Sequence, residues 1–349
     1  MEVVQVVKRF GLCGGMEEYA YRITCELSRI GVKVYVVCEE MIDEAEDGTI
    51  EIVQLGKSLK KPRWLSHLLF AKKVRSWVVK NADKDIIIHS HERIDCHHVT
   101  TIHSTLYNFP PKQNFPSFRN YCNEHIEHRE LNCASVQKIV PVSELITNQI
   151  AEKYSSARHK LVTPIPPGVS ALNTKKKVFD SEVPVVGFMG KEWRRKGLPK
   201  VIEIWRELRK EKPLARLCLA GFPDNHSIGI SENEHKFVDI LGHVNRKEDF
   251  YENIDILVHP AKKEAFGMVI AEALSVGIPV LCSKETGASE LLTSSNTLNY
   301  QDPFGLWCDV LKKIILQPYG DIVPQTKAKF WPDVAQDYFS CYKSLSHAD

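Results

Sequence analysis

Two glutamates eight residues apart are the first candidates for chemistry. Glu264 and Glu272 lie in the segment EAFGMVIAEALSVGIPV, residues 264–280. We expect Glu264 in a loop after a strand, and Glu272 inside a helix whose other residues are apolar nearly all round. Such a helix is buried, so this carboxylate needs hydrogen-bond donors. The hydroxyls of a ligand such as a ribose would serve, and so would a neighbouring backbone segment; the pattern leaves both interpretations open.

A cluster of cations follows another predicted strand. The segment GKEWRRKG, residues 190–197, comes directly after VPVVGFM and contains Lys191, Arg194, Arg195 and Lys196. Strand-to-helix turns of this kind bind phosphates in α/β folds. Guanidinium and ammonium groups suit a diphosphate. A charge run is more often a solvated loop, but its place after a strand favours binding.

A third signal is the glycine pair in GLCGGMEE, residues 11–18. Gly14 and Gly15 would let the backbone approach a phosphate closely. The segment matches neither GxGxxG nor a Walker loop, so alone it is not specific. Seven of the fourteen histidines fall in residues 89–128, near Cys96. They lack the spacing of a zinc ligand set, so we expect no metal site.

The elements that must carry these residues alternate between strands and helices. Apolar, β-branched runs predict strands at 3–7, 32–37, 85–91, 98–104, 138–143, 183–190, 215–221, 236–244, 255–260 and 278–283. Helical patterns fall between them, such as the repeat of Tyr19, Ile23 and Leu27 that ends at Gly31. Strand, helix and parallel strand form βαβ units, so the fold class is α/β with doubly wound sheets.

Length and composition agree with two such domains. The chain has 349 residues, a net charge of +2 and 43% hydrophobic residues. This composition argues against disorder, and the small charge argues against a nucleic-acid-binding protein. No signal peptide or membrane span is recognised, and the ten cysteines form no CxxC pair. We therefore expect a cytoplasmic protein with buried free thiols.

The proline- and lysine-rich segment 163–177 reads as a hinge linker between the two halves. We predict an N-terminal domain over 1–168 and a C-terminal domain over 169–330. A last helix at about 331–349 is expected to pack back on the first domain.

The ordered motifs resemble family 4 of the retaining glycosyltransferases. They are GGMEE (14–18), TIHST (101–105), PVSE (141–144), PPGV (166–169), GKEWRRKG (190–197), LGHV (241–244), HPAKKEAFGMVIAEAL (259–274) and GIPV (277–280). Within that family, GxxxRRKG looks most like the lipopolysaccharide-core glucosyltransferases, although many members have Arg where this chain has Lys191. The resemblance implies the GT-B fold, two Rossmann-like domains facing each other across a cleft.

The resemblance also implies roles for particular residues. Arg195 and Lys196 would hold the diphosphate, helped by the backbone of Gly15, and Glu272 would bind the ribose. Glu264 would contact the donor sugar, and His103 would lie beside the transferred sugar. Backbone amides would come from Phe266, Gly267, Met268 and Val269, and His243 and Val244 would flank the base. The catalytic set would be His103, Glu264, Arg195 and Lys196, with no metal or other cofactor.

The function expected is transfer of a hexose from a nucleotide diphosphate sugar to a glycan or lipid-linked acceptor, with retention of configuration, in lipopolysaccharide or other cell-surface polysaccharide synthesis. The alternatives are a nucleotide-sugar epimerase of the same fold and a non-catalytic sugar-nucleotide-binding protein. An NAD-dependent dehydrogenase is disfavoured because GxGxxG is missing.

One further segment, residues 56–80, mixes many cations with tryptophan and leucine. An ordinary core-facing helix with a solvated basic side explains much of it. The same density also suits an anionic bilayer surface, so peripheral membrane docking is expected as well.

Overall fold

The computed structural model describes residues 1–45, 48–59, 61–81, 85–107, 117–174, 179–222, 228–316 and 328–345. The chain divides into two compact units. The first consists of Met1–Gly168 together with Lys329–Asp349, and the second of Val169–Ala328.

The first unit is built on a parallel sheet with the order β5–β3–β1–β6–β7–β8. Its strands are β1 (Glu2–Val6), β3 (Lys33–Cys38), β5 (Glu51–Gln54), β6 (Ile87–Ser90), β7 (Val99–Ile102) and β8 (Lys138–Pro141), and β2 (Arg9–Phe10) pairs separately with β4 (Glu40–Met41). Its helices are α1 (Gly15–Arg29), α2 (Arg63–Asn81), α3 (Phe118–Asn132), α4 (Glu144–Lys153) and, from the end of the chain, α9 (Trp331–Lys343).

Both faces of this sheet are covered. Val37 packs in a cluster with Phe70 of α2, whereas its neighbour Val36 packs in another with Ala20 of α1. Successive side chains of a strand point to opposite faces, so this division means that α1 and α2 lie on opposite sides of the sheet. The continuous apolar strands predicted from the sequence are therefore confirmed in this unit.

The second unit repeats the scheme with the parallel order β11–β10–β9–β12–β13–β14. Its strands are β9 (Val185–Met189), β10 (Arg216–Ala220), β11 (Val238–Gly242), β12 (Ile256–His259), β13 (Val280–Ser283) and β14 (Thr297–Leu298). Its helices are α5 (Leu198–Glu211), α6 (Lys247–Tyr251), α7 (Met268–Ser275) and α8 (Phe304–Leu316). Trp205 of α5 and Trp307 of α8 are fully buried in its core.

The predicted α/β class is confirmed, with differences at the edges. The sequence patterns missed the edge strands β5 and β14, which are short and, in β5, half polar. All ten cysteines lie in the described part of the chain and are free thiols, but five of them are half-buried rather than buried: Cys13, Cys96, Cys122, Cys133 and Cys341. No helix of the described residues has the length and hydropathy that crossing a bilayer requires.

Candidate functional site

The cationic turn after β9 contacts the first of the two glutamates. Arg195 Nη1 donates to Glu264 Oε2 at 3.0 Å, and Lys196 Nζ lies 3.5 Å from the same oxygen. Arg195 also donates to the carbonyl oxygen of Lys263, and its Nε donates to Glu192 Oε2 at 2.6 Å. The sequence placed these groups 69 residues apart, and the fold joins them in one charged cluster.

Glycine makes this approach possible. Gly197 ends the turn with φ +91°, and a Cβ there would lie 2.0 Å from the carbonyl oxygen of Pro260. Any larger residue would push the cationic turn away from the end of β12. Gly267 has φ +97° and precedes α7, where a Cβ would lie 2.8 Å from Thr286. Both glycines therefore hold loops close together at the carboxyl edge of the sheet.

The other predicted residues of this unit divide by exposure. Lys191 and Arg194 are exposed, and the Arg194 guanidinium lies over the ring of Trp193, 4.5 Å from its centroid. The cluster around Glu264 therefore does not include Arg194. His243 is exposed and Val244 half-buried, and both follow the carboxyl end of β11. They share with the cationic turn the edge at which α/β sheets bind ligands.

Glu272 is buried inside α7, as predicted, but it already has donors within the protein. Lys247 Nζ donates to Oε1 at 2.6 Å, and the Tyr251 hydroxyl donates to Oε2 at 2.7 Å. Both come from α6, where the spacing of four residues places them on one helix face. The sequence left a neighbouring backbone segment as one possible donor to Glu272. In the structure, the side chains of Lys247 and Tyr251 donate instead. A carboxylate offers about four acceptor directions, so Glu272 keeps acceptor capacity beyond these two contacts.

The segment before and at the start of α7 presents backbone rather than side chains. Phe266, Gly267 and Val269 are buried and Met268 is half-buried. The carbonyl oxygen of Phe266 accepts from the N–H of Ala288 at 2.8 Å, which fixes the loop. Helices leave the N–H groups of their first turn without partners inside the helix, so α7 offers donors at this end.

His259 is a residue whose environment the sequence analysis missed. It ends β12, is fully buried and lies parallel to the Phe188 ring at 6.1 Å between centroids. Neither ring nitrogen has a partner in the described part of the chain. Burial, together with the charges of Lys196 and Arg195, holds the pKa of His259 well below its usual value. The only sequence signal was a histidine followed by a proline, His259 and Pro260, at the end of a predicted strand. That signal does not indicate which residues surround the ring.

In the first unit, the glycine pair begins α1. Gly14 precedes the helix and Gly15 is its first residue. A Cβ on Gly14 would lie 2.4 Å from Glu17 Oε2, and Glu17 also pairs with Arg9. The protein's own carboxylate therefore occupies the end of α1 where a phosphate contact is expected.

His103 lies after β7 and lines a cavity of about 1320 Å³ within the first unit. Its Nε2 is 2.9 Å from His91 Nδ1, and its ring meets the edge of Tyr19. Burial lowers the pKa of His103 to about 3, so the ring is neutral at physiological pH. Glu92 lines the same cavity, and burial raises the pKa of its carboxyl to about 7. No group of three potential metal ligands is found among the described residues.

Helix α2 shows how the basic, aromatic segment is used. Phe70 and Val74 are buried in the core, and Trp77 packs against the same cluster. Lys73 Nζ donates to backbone carbonyl oxygens, including that of Gly56 at 2.9 Å, and Arg75 pairs with Asp95. The apolar side therefore faces the protein, as the core-facing interpretation expected. Lys60, the lysines at 175–177 and the end of the predicted last helix, 346–349, lie outside the described residues.

These two units define a class of protein. WaaG, a glycosyltransferase involved in lipopolysaccharide biosynthesis, superposes with a TM-score of 0.77 at 15% identity, covering 99% of this chain and 96% of that one. The Anabaena protein Alr3699/HepE, solved in complex with UDP-glucose, gives 0.68 at 17% identity, covering 99% and 100%. The fold is that of the GT-B glycosyltransferases.

Two family models assign the chain within that class. The model described as Glycosyltransferase Family 4 matches residues 13–171, and the one described as Glycosyl transferases group 1 matches residues 170–304. Consecutively they span most of the chain. The protein belongs to the glycosyltransferase family that these models describe, and the resemblance noted in the sequence is confirmed.

Curated relatives are distant. The capsular polysaccharide biosynthesis glycosyltransferase CapM of Staphylococcus aureus is 26% identical over 119 residues, which is 32% of this chain and 31% of CapM. The D-inositol 3-phosphate glycosyltransferase of Corynebacterium urealyticum is 24% identical over 269 residues, 65% of this chain and 63% of that protein. The matched regions thus cover less than two thirds of these relatives.

Proposed function

We propose that this glycosyltransferase moves a hexose from a nucleotide diphosphate sugar to a glycan or lipid-linked acceptor, with retention of configuration, in the synthesis of lipopolysaccharide or another cell-surface polysaccharide. The observation that carries the proposal is the joint contact of Arg195 and Lys196 with Glu264 at the carboxyl edge of the second sheet. The solved relative with bound UDP-glucose and the lipopolysaccharide and capsule relatives support the substrate class.

Arg195 and Lys196 would balance the charge of the departing diphosphate, without a bound metal. Groups that already stand where charge develops stabilise a transition state without reorganising. Glu264 holds both cations in place before a ligand arrives, since its Oε2 contacts each of them. When the diphosphate takes over these cations, Glu264 would be released toward the hydroxyls of the donor sugar.

The remaining roles follow the same edge of the sheet. The N–H groups at the start of α7, from Phe266 to Val269, would receive anionic or hydroxyl oxygens, and Glu272 would bind the ribose while Lys247 neutralises it. His243 and Val244 would flank the base. Gly14, Gly15 and His103 of the first unit would keep the roles that the resemblance implies, with His103 beside the transferred sugar.

The experiment is a turnover assay on a panel of UDP- and GDP-sugars with added glycan acceptors. Release of nucleoside diphosphate together with a glycosylated product is expected, and the anomeric configuration of that product tests retention. An isomerised nucleotide sugar without transfer would indicate an epimerase. Donor binding without any turnover, seen as a thermal shift alone, would indicate a binding protein.

Association with an anionic membrane surface from the cytoplasmic side is proposed as an addition to this function. Its support is the density of cations in 56–80, of which Lys61 and Lys72 are exposed. Because the apolar side of α2 is in the core, such docking would be electrostatic and without insertion.

A further inference from the structure

A continuous row of side-chain hydrogen bonds, buried as far as His91, runs through the first unit and ends at the half-buried His103. It begins at the Tyr19 hydroxyl, which donates to the carbonyl oxygen of Ile165 at 2.9 Å. The further links are Tyr19–Tyr338 at 2.8 Å, Tyr338–Thr101 at 2.7 Å, Thr101–His89 Nε2 at 2.7 Å, His89 Nδ1–Tyr342 at 2.7 Å, Tyr342–Gln5 Nε2 at 3.1 Å, Gln5 Oε1–His91 Nε2 at 2.9 Å and His91 Nδ1–His103 Nε2 at 2.9 Å.

The carbonyl at the start fixes the direction of the first links. A carbonyl oxygen only accepts, so the single hydroxyl proton of Tyr19 is used there. Tyr338 must then donate to Tyr19, and Thr101 must donate to Tyr338. Each hydroxyl has one proton, so Thr101 has none left for its histidine neighbour. His89 therefore donates from Nε2 to Thr101.

The direction continues to the end of the row. Burial holds the pKa of His89 and of His91 well below the usual value, so each ring is neutral and has one acceptor nitrogen. His89 Nδ1 accepts from Tyr342, which must in turn accept from the amide nitrogen of Gln5. The amide oxygen of Gln5 then faces His91 and accepts from its Nε2. His91 Nδ1 is left to accept from Nε2 of His103.

The order of donors therefore assigns the tautomer of His103. Its Nε2 carries the proton, and Nδ1 carries a lone pair. Nδ1 makes no hydrogen bond within the described part of the chain, and His103 lines the cavity of the first unit. The end of the row that meets a ligand is thus an acceptor.

We propose that Gln5, His89, Tyr338 and Tyr342 are positioning residues that hold His103 as the Nε2–H tautomer and so present Nδ1 as a hydrogen-bond acceptor to the sugar being transferred. This inference rests on the proposed function for the identity of the sugar. Tyr338 and Tyr342 lie four residues apart on α9, so one face of the last helix supplies both hydroxyls. Helix α9 therefore acts on His103 indirectly, through the side chains that its two hydroxyls contact.

An acceptor suits the chemistry better than a donor would. Glycosyl transfer passes through a transition state with the positive charge of an oxocarbenium ion. Sugar hydroxyls become stronger donors as this charge grows, and a lone pair is stabilised by it, whereas an N–H dipole is repelled. The tautomer should therefore affect the chemical step more than donor binding.

Tyr342→Phe tests the row with little change of shape. Without that hydroxyl the side-chain amide of Gln5 can rotate by about 180° and donate to His91 instead of accepting from it. His91 would then donate to His103, and every remaining hydrogen bond of the row would still be made. His103 would then populate both tautomers. We expect kcat to fall about 3- to 10-fold, the effect of one hydrogen bond, with donor KM changed by less than about 2-fold. Tyr21→Phe is the matched control, since its hydroxyl donates to the carbonyl oxygen of Glu44 outside the row.

Nitrogen-15 spectra of the histidine rings in the intact protein report the tautomer directly, with the His103→Gln spectrum identifying the signals of His103. Wild type and Tyr21→Phe should show protonated Nε2, and Tyr342→Phe a mixture. The double variant Gln5→Leu/Tyr342→Phe should lose no more kcat than Tyr342→Phe, because the row is already cut, whereas two independent packing defects would add.

Protonated Nδ1 in wild type, or an unchanged kcat in Tyr342→Phe, overturns the inference. If no nucleotide sugar is turned over at all, the proposed function fails instead. The spectra need no substrate, so they still decide whether the row fixes His103.

Discussion

The two units each contain a six-stranded parallel sheet, but the sites at the two sheets are of opposite kinds. At the carboxyl edge of the second sheet, Arg195, Lys196 and Glu264 form a charged, partly exposed cluster. In the first unit, His103 is held by a buried row of neutral side chains. The charged cluster suits a leaving group with fixed negative charge. The neutral row suits a sugar, whose hydroxyls require donors and acceptors in a set order rather than net charge.

The largest expected effect is on stability in acid, and it should separate the two units. Burial lowers the pKa of six histidines of the first unit, and for five of them, His67, His89, His91, His97 and His103, it lies far below the usual value; His98 is also lowered. For those five, only the unfolded state takes up protons as the pH falls below about 6.5. The stability that these neutral histidines contribute is fully present above that pH and is lost as the pH falls below it.

Two glutamates of the first unit act in the opposite sense. Burial raises the pKa of Glu92 and Glu130 to about 7, so the folded state binds these protons first and gains stability on acidification. The net of about three groups predicts a loss of about 3 kcal/mol in unfolding free energy between pH 6.5 and 5.5. Urea unfolding at both values measures it. On acidification, amide hydrogen exchange should speed up in β6 of the first unit before it does in β12 of the second unit. Among the described residues of the second unit, His259 alone is a histidine with a lowered pKa. Equal changes in the two strands would contradict the contrast between the units.

The next effect is on the charged cluster. Lys196→Ala removes one cation from the diphosphate, and loss of a charge-assisted contact is expected to weaken donor binding by about 1.5–3 kcal/mol, or tens-fold. Arg194→Ala is the matched control, because Arg194 is exposed and outside the cluster. Donor KM and the release of nucleoside diphosphate measure both variants. Equal effects of the two would mean that general charge, not the contact with Glu264, binds the donor.

The contrast between the units also explains what the sequence could predict. The charged residues are close in sequence, in 190–197 and 264–272, and directly follow strands, so their spacing revealed them. The neutral row joins β1, α1, β6, β7 and α9, and no local pattern links Gln5 with Tyr342. Short edge strands such as β14 were missed because two residues are too few to show the hydrophobic pattern of a strand.

Glu272 sharpens the comparison, because it is a buried carboxylate with both a cation and a hydroxyl as partners. Glu272→Gln keeps the shape but loses charge, so donor KM should rise about 3- to 10-fold if Glu272 accepts from the ribose. The penalty for a 2′-deoxyribose donor should then be smaller in the variant than in wild type. Tyr251→Phe is the control for packing and should keep the full penalty. Equal penalties in Glu272→Gln and wild type would leave Glu272 as a structural residue.

The smallest effect concerns the basic surface of the first unit. Exposed cations near an anionic bilayer contribute about 1 kcal/mol each and are screened by salt. Insertion would need an apolar stripe, but Phe70 and Val74 of α2 are in the core. We therefore expect weak cosedimentation with anionic vesicles at low salt, lost at physiological salt, and no quenching of tryptophan by brominated lipid chains. Lys72→Glu/Lys80→Glu should abolish the binding while donor affinity stays unchanged, because both lysines are exposed and outside the cavity that His103 lines. Quenching of Trp64 or Trp77 would show instead that α2 leaves the core to enter the bilayer, and failure to bind at low salt would confine this surface to solvent.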